Sequence, residues 1–336
     1  MQIPGFVDAH SHAFQRRLRG RDRGGDFWAW REGMIALAES LTVDEIRREY
    51  AEVYRELRAN GFTAVGEFHY LGLEEARAAA EAATEAGVAI VVLHACYLRG
   101  GIPRFRQDSV ADYLRQVEGL RADGIRVGIA PHSVRACPPD ALRELGGYAS
   151  AYGLPLHVHA DEQPREIEEC VAETGLRPIE LLDETGCLGP RTTVVHATHA
   201  DGHELDLLAA AGARICACPI TEANLGDGFL PVARVLHRRI GLCIGSDSNV
   251  RIDPLEELRE LEGIGRRQTG TRGVISLDDL IATGTSEGAA ALGLDEWPQA
   301  TVDLAHPQLR SVDEESVYDA LVFGCTGDVL RKTSDQ

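Results

Sequence analysis

Two His-x-His pairs, His10/His12 in "VDAHSHAF" and His157/His159 in "LHVHADE", are the first sign of chemistry in the chain. With 12 His among 336 residues, about 0.4 such pairs is the chance expectation, so one alone says little and two invite a search for partners. Alternate residues of a strand point to one face, so each pair can aim two imidazoles at one point. A metal site needs that convergence. The smallest set that completes it is His10, His12, His159 and Asp247, the last in "GSDSN". Three imidazoles and a carboxylate suit one divalent ion, Zn²⁺ with Fe²⁺ as the other candidate, and leave a position for water. His157 shares a face with His159 but lies one layer deeper, as a core or supporting histidine. Glu162, three residues beyond His159, falls where the strand has turned into its loop and can lean over a metal-bound water. Standing alone it would read as a solvated carboxylate. His196, in "VVHATH", projects from the next strand near the metal, whereas His199 and His203 fit the following loop and helix. His132 and Arg135, in "PHSVR", end another strand.

The elements that must position these residues follow from hydrophobic periodicity. Apolar runs of strand length lie at 5–10, 63–69, 88–95, 125–132, 155–160, 192–197, 213–219 and 241–247. Helix-length amphipathic segments separate them, near 42–60, 73–86, 109–122, 138–151, 164–185, 201–211, 228–238 and 253–266. Thr42 is a natural N-cap, with Glu45 three residues on. Eight strand-then-helix repeats predict a closed parallel (β/α)8 barrel of the TIM type, with an open doubly wound sheet as the alternative. In such a barrel chemistry sits at the C-terminal strand ends, and nine of the 12 His lie at or near them. Residues 276–293 read as one extra helix after the barrel. The division expected is a barrel over 1–297 and a tail over 298–336, strand-like in pieces.

Composition narrows the partners. Formal charge is −19, which argues against nucleic acid and against an anionic membrane surface. The sequence shows no apolar stretch long enough to span a bilayer and no N-terminal signal pattern. Eight scattered Cys read as reduced, packed thiols of a cytoplasmic protein. Cys216 and Cys218 form a Cys-x-Cys pair without a second pair nearby, a weak metal signal.

"DAHSHAFQR", "FWAWRE", "GEFHYL", "PHSVRA", "HVHADEQ", "VVHATH", "TEANLGDG" and "GSDSNVRIDPLEELRELE" together resemble the formimidoylglutamate deiminases, a family within the amidohydrolase superfamily. The resemblance runs from about residue 4 to about residue 325. The His-x-His and Ser-Asp motifs mark only the superfamily; "FWAWRE", "GEFHYL" and "TEANLGDG" are more specific. It implies a metal-dependent barrel, usually a dimer and usually with Zn²⁺, that converts N-formimino-L-glutamate and water into N-formyl-L-glutamate and ammonia in histidine degradation. It also implies His10, His12, His159 and Asp247 as metal ligands, and Glu162 and His196 as the proton-transfer and polarising residues, with Asp247 taking part in catalysis. Gln15, Arg31, Tyr70, His132 and Arg135 fall on substrate-holding positions, the two arginines offering planar forks to two carboxylates. Members of the family carry a further N-terminal segment that pairs with the tail in a small β-sandwich, which is expected here to be largely missing. Asn249 stands where His is expected. The competing expectations are a deaminase of purine- or pyrimidine-type rings, a trimmed metal-binding remnant without catalysis, and a metal-free structural barrel.

Overall fold

The computed structural model describes residues 1–21 and 24–331. Its eleven strands are β1 (Gln2–Pro4), β2 (Phe6–Ser11), β3 (Phe62–His69), β4 (Ala89–Cys96), β5 (Val127–Pro131), β6 (Leu156–Ala160), β7 (Thr192–His196), β8 (Arg214–Ala217), β9 (Gly241–Ile244), β10 (Gln299–Val302) and β11 (Leu330–Arg331). Strands β2 to β9 pair in sequence order, all parallel. Among the described residues, the backbone–backbone bonds across the seam between β9 and β2 come from one residue. Asp247 donates its N–H to His10 O at 2.9 Å and accepts from His12 N at 2.8 Å. Gly245 permits the approach, because a Cβ there would lie 2.6 Å from His10 O and 2.8 Å from His10 Cβ. The sheet is therefore a (β/α)8 barrel, as its periodicity predicts, and all eight expected strands are present.

Strands buried on both faces must be apolar throughout, and two cores result. A large one fills the space between strands and helices, while Ala9, Val195, Cys216, Cys218, Cys243 and Ala291 pack a small interior one. All eight cysteines are buried free thiols. The helix Ser286–Ala291 plugs the barrel floor: Gly288 lies so close to Val7 that a Cβ would meet it at 2.9 Å, and Ala291 O accepts from His157 Nε2 at 2.9 Å. His157 is thus a floor residue.

Several expectations need correcting. The segment 164–185 is two helices, Pro164–Thr174 and Pro178–Glu184, because Gly175 turns left-handed (φ 78°) between them. The segment 276–293 is also two, Leu277–Gly284 and Ser286–Ala291, broken at Thr285. The stretch after β2, for which no element was expected, forms a 3-10 helix at Ala13–Leu18 and an α-helix at Phe27–Ser40 capped by Asp26. A further short helix, Pro219–Leu225, was not anticipated. The tail packs against the barrel. β10 pairs antiparallel with β1 and with β11, and Arg259 of the helix Pro254–Thr269 donates to Val322 O at 2.8 Å.

The helix Val43–Ala59 starts as predicted, with Thr42 and Glu45 in a reciprocal capping box. Thr42→Ala removes that box and should cost about 1 kcal/mol, read as a lower urea midpoint with an unchanged m-value. An unmoved midpoint would mean that the buried face of Ile46, Tyr50, Val53, Tyr54 and Leu57 alone fixes the helix.

Candidate functional site

At the C-terminal mouth of the barrel, His10 and His12 leave β2 on one face and meet His159 from β6 and Asp247 from the turn after β9. The Nε2 atoms of His10 and His12 are 3.2 Å apart, and those of His10 and His159 are 3.1 Å apart. Asp247 Oδ1 lies 3.4 Å from both His10 and His12 Nε2. Each remaining ring contact fixes a tautomer. His12 Nδ1 donates to Phe68 O at 2.9 Å and His159 Nδ1 to His132 O at 3.0 Å. Their Nε2 atoms therefore present lone pairs to the centre. Burial drives His10 down to about 3 and pulls His12 and His159 below the usual imidazole range as well. Asp247 is buried too, yet the imidazoles around it hold its carboxyl ionised. The lone pairs of His12 and His159 Nε2 thus both face His10 Nε2, at 3.1–3.2 Å. A tetrahedral ion with bonds of 2.0–2.1 Å has ligand edges of about 3.3 Å. The four donors, all within 4.8 Å of one another, fit such an ion.

The turn after β9 is held by polar bonds. Asp8 accepts from Ser246 N at 2.9 Å and from Ser246 Oγ at 2.5 Å. Asp247 and Asn249 both take left-handed φ values, 48° and 56°, which cost energy in residues other than Gly. Asn249, where His was expected, is fully bonded: its amide donates to Ser11 Oγ and Asp247 O, and Oδ1 accepts from Ser246 Oγ. It supports Asp247 without reaching the cavity.

Two further groups flank the centre. Glu162 stands 3.6 Å from His196 Nε2. Burial pushes its carboxyl up to about 7, against the pull of His196 and Arg135. His196, at φ 71°, is backed by Glu222, whose Oε1 lies 3.2 Å from Nδ1 and accepts Cys218 N at 2.8 Å. Burial opposes a charge on His196, but Glu162, the bond to Glu222 and Asp247 outweigh it and raise the ring to about 10. Sequence reasoning missed Glu222. It lies in the unanticipated helix Pro219–Leu225, and its only signal was its place in "TEANLGDG".

One cavity collects His12, Gln15, Arg31, Tyr70, His132, Arg135, His159, Glu162, His196 and Asp247. These are the expected site residues save His10, which lies beneath. Gln15 donates to Tyr70 Oη at 2.8 Å and keeps a buried Oε1 without a partner. His132 stacks 4.8 Å from His159, and burial with the Arg135 charge keeps it neutral. Arg31 comes from the helix Phe27–Ser40. That helix roofs the cavity with Phe27, Trp30 and Met34, none of them anticipated as site residues, and Tyr97 adds to the wall.

Clustering at strand ends overstated the histidines' part. His69 bonds Tyr50 Oη at 2.8 Å and Gly72 O at 2.7 Å, and His94 bonds Gln116 at 3.0 Å beneath Tyr113. Both face the helices. His199 lies in the loop after β7, and His203 sits exposed on the next helix, as expected.

Comparison with known proteins agrees with this architecture. The amidohydrolase family matches over residues 1–296, and the chain belongs to that family of metal-dependent hydrolases. It is similar to the formimidoylglutamate deiminase of Pseudomonas aeruginosa, at 36% identity over 87% of this chain and 72% of that protein. It is also similar to the 5-methylthioadenosine/S-adenosylhomocysteine deaminase of Natronomonas pharaonis, at 30% identity over 98% of this chain and 79% of that one. Among solved structures, an amidohydrolase from Brucella melitensis superposes with a TM-score of 0.88 at 31% identity, over 98% of this chain and 84% of the other. The protein is thus a hydrolase acting on carbon–nitrogen bonds.

Glu67 ties the segment after His12 to β3. It accepts Ala13 N at 2.9 Å and Ser11 Oγ at 3.1 Å, and burial raises its carboxyl to about 8. The folded state then binds a proton that the unfolded chain releases near 4.5, so Glu67 costs stability as pH rises from there through about 8. Glu67→Gln, which imitates the protonated form, should lose less urea resistance than the parent between pH 6 and pH 9. Parallel losses would show that Glu67 ionises freely in the fold.

Proposed function

We propose that the chain hydrolyses N-formimino-L-glutamate to N-formyl-L-glutamate and ammonia. The observation that carries this is the pair of guanidinium groups on the wall of the cavity beside the four metal donors. Among the described residues Arg31 has an ion pair only with Glu32, at 4.0 Å, and Arg135 only with Glu166, at 3.4 Å. Among the described residues neither has its terminal nitrogens hydrogen-bonded. Two such forks match the two carboxylates of a glutamate moiety. Gln15 Oε1, also without a partner, can accept an N–H of the substrate.

His10, His12, His159 and Asp247 would hold the ion, taken as Zn²⁺. When bound, it supplies Lewis acidity and brings a water's pKa to about 7. In the reaction the oxygen of water replaces the imino nitrogen at the formimino carbon, and that nitrogen gains two protons to leave as ammonia. Asp247 is placed to take a proton from the water. Glu162, whose carboxyl burial raises well above the usual range, can pass protons to the leaving nitrogen. His196, kept cationic with Glu222 behind it, steadies negative charge as it develops. The family resemblance brings with it a cytoplasmic homodimer, and eight free thiols suit a reducing compartment.

A second reading draws on Phe27, Trp30, Tyr70 and Tyr97, which line the same cavity and would stack on a purine-type ring. It leaves both arginine forks idle, and we place it second.

Two variants test the proposal. Glu162→Gln should keep about one divalent ion per chain and lose kcat by roughly 10²–10⁴, the usual worth of a positioned acid–base group. Near-normal kcat would assign the proton to another residue. Arg135→Lys keeps the charge but loses the fork. It should cut kcat/KM on N-formimino-L-glutamate far more than on N-methylformamidine, an amidine without carboxylates. Equal losses, or turnover of methylthioadenosine in preference to either, would favour the ring deaminase.

A further inference from the structure

We propose that Glu166 is a positioning residue that joins the carboxylate clamp to the proton shuttle. Glu166 lies in the first turn of the helix Pro164–Thr174 and is fully buried. One oxygen, Oε2, accepts the backbone N–H of Glu162 at 3.3 Å. The other, Oε1, faces Arg135 Nε at 3.4 Å. That is an ion pair too long for a full hydrogen bond, and both atoms are otherwise without a partner. A buried carboxylate is costly unless a cation or N–H groups compensate it. Arg135 is the compensating cation, and the positive end of the helix adds to it.

The consequence for Arg135 is geometric. Glu166 holds its Nε edge, and the Trp28 ring covers a face, 5.5 Å from the guanidinium carbon. The edge bearing the two terminal nitrogens is left to a ligand. A planar fork held on one edge and one face offers bidentate bonds at little further cost in side-chain entropy. The same carboxylate holds the peptide of Glu162, whose carbonyl accepts Thr198 Oγ1 at 3.2 Å, after Asp161 in a left-handed turn (φ 54°). A substrate carboxylate on Arg135 and the shuttle at Glu162 are therefore referred to one fixed point. Neither Glu162 nor Arg135 can shift alone without disturbing the Glu166 contacts.

The inference rests on Arg135 binding a substrate carboxylate, so the test separates the two claims. Glu166→Gln keeps the size and an acceptor for Glu162 N but removes the charge facing Arg135. With the metal-loaded full chain, KM for N-formimino-L-glutamate should rise about tenfold. Metal content should stay unchanged, kcat should stay within about threefold, and kinetics on N-methylformamidine should hardly move. A merely structural role would lower both substrates' kcat/KM together, and that result overturns the inference. So does a parental KM in Glu166→Gln while Arg135→Lys still discriminates between the substrates. If Arg135→Lys does not discriminate either, the dicarboxylate reading itself falls. Should Glu166→Gln fold poorly, Glu166→Asp keeps the charge but shortens the reach by one methylene. It should then raise KM for the charged substrate alone; equal effects on both substrates overturn the inference.

Discussion

Three imidazole nitrogens and an ionised carboxylate are held 3.1–3.4 Å apart where water scarcely reaches. Without a cation among them the arrangement is repulsive and poorly solvated. The fold is organised to enforce it. Phe68 O on β3 and His132 O after β5 set two ring tautomers, so neighbouring strands orient the donors. Asp247 supplies a donor oxygen and, among the described residues, the only backbone–backbone bonds that close the barrel between β9 and β2. Barrel closure and donor geometry thus share one residue, and its left-handed backbone is maintained by Ser246, Asp8 and Asn249. An Asp at that place answers both demands.

Much of this was legible because strands buried on both faces leave continuous apolar runs, and because alternation alone puts His10 with His12. What misled was the same alternation, not followed strand by strand. Phe68 packs 5.0 Å from the His10 ring and 4.6 Å from His159, so β3 turns residue 68 inward. Its neighbours Glu67 and His69 must then face the helices. His94, paired with His69 in register, goes the same way. A count of histidines at strand ends cannot see this; the parity of one inward aromatic can. Gly175 and Thr285, which split two expected helices, interrupt segments whose apolar periodicity runs on across the break.

The helix Phe27–Ser40 was illegible for a different reason. It buries only Phe27, Met34 and Ala38, while Trp30 and Arg31 face a cavity meant to be filled by a ligand. Helix recognition relies on an apolar stripe opposite a polar one, and a helix whose inner face must serve both carbon and charge blurs that contrast. Glu222 escaped for a related reason: a carboxylate that supports another side chain has no periodic signature.

This division between barrel and roof bears on how a chain of charge −19 could hold the carboxylates of the proposed substrate. At physiological salt the field of distant carboxylates decays over about 8 Å, so the balance inside the cavity is set by its own walls. There Arg31 and Arg135 face Glu162 and Asp247. The first of these carboxyls is raised to about 7 by burial, and the second is committed to the donor set. Arg135 alone has a fully buried counterion, Glu166, on the edge away from its free fork. The guanidinium is thereby kept charged in a dry wall without being consumed by its partner. On the proposed reading, the strand ends would fix the chemistry of water and proton, and the roof and Arg135 which small molecule is brought to it.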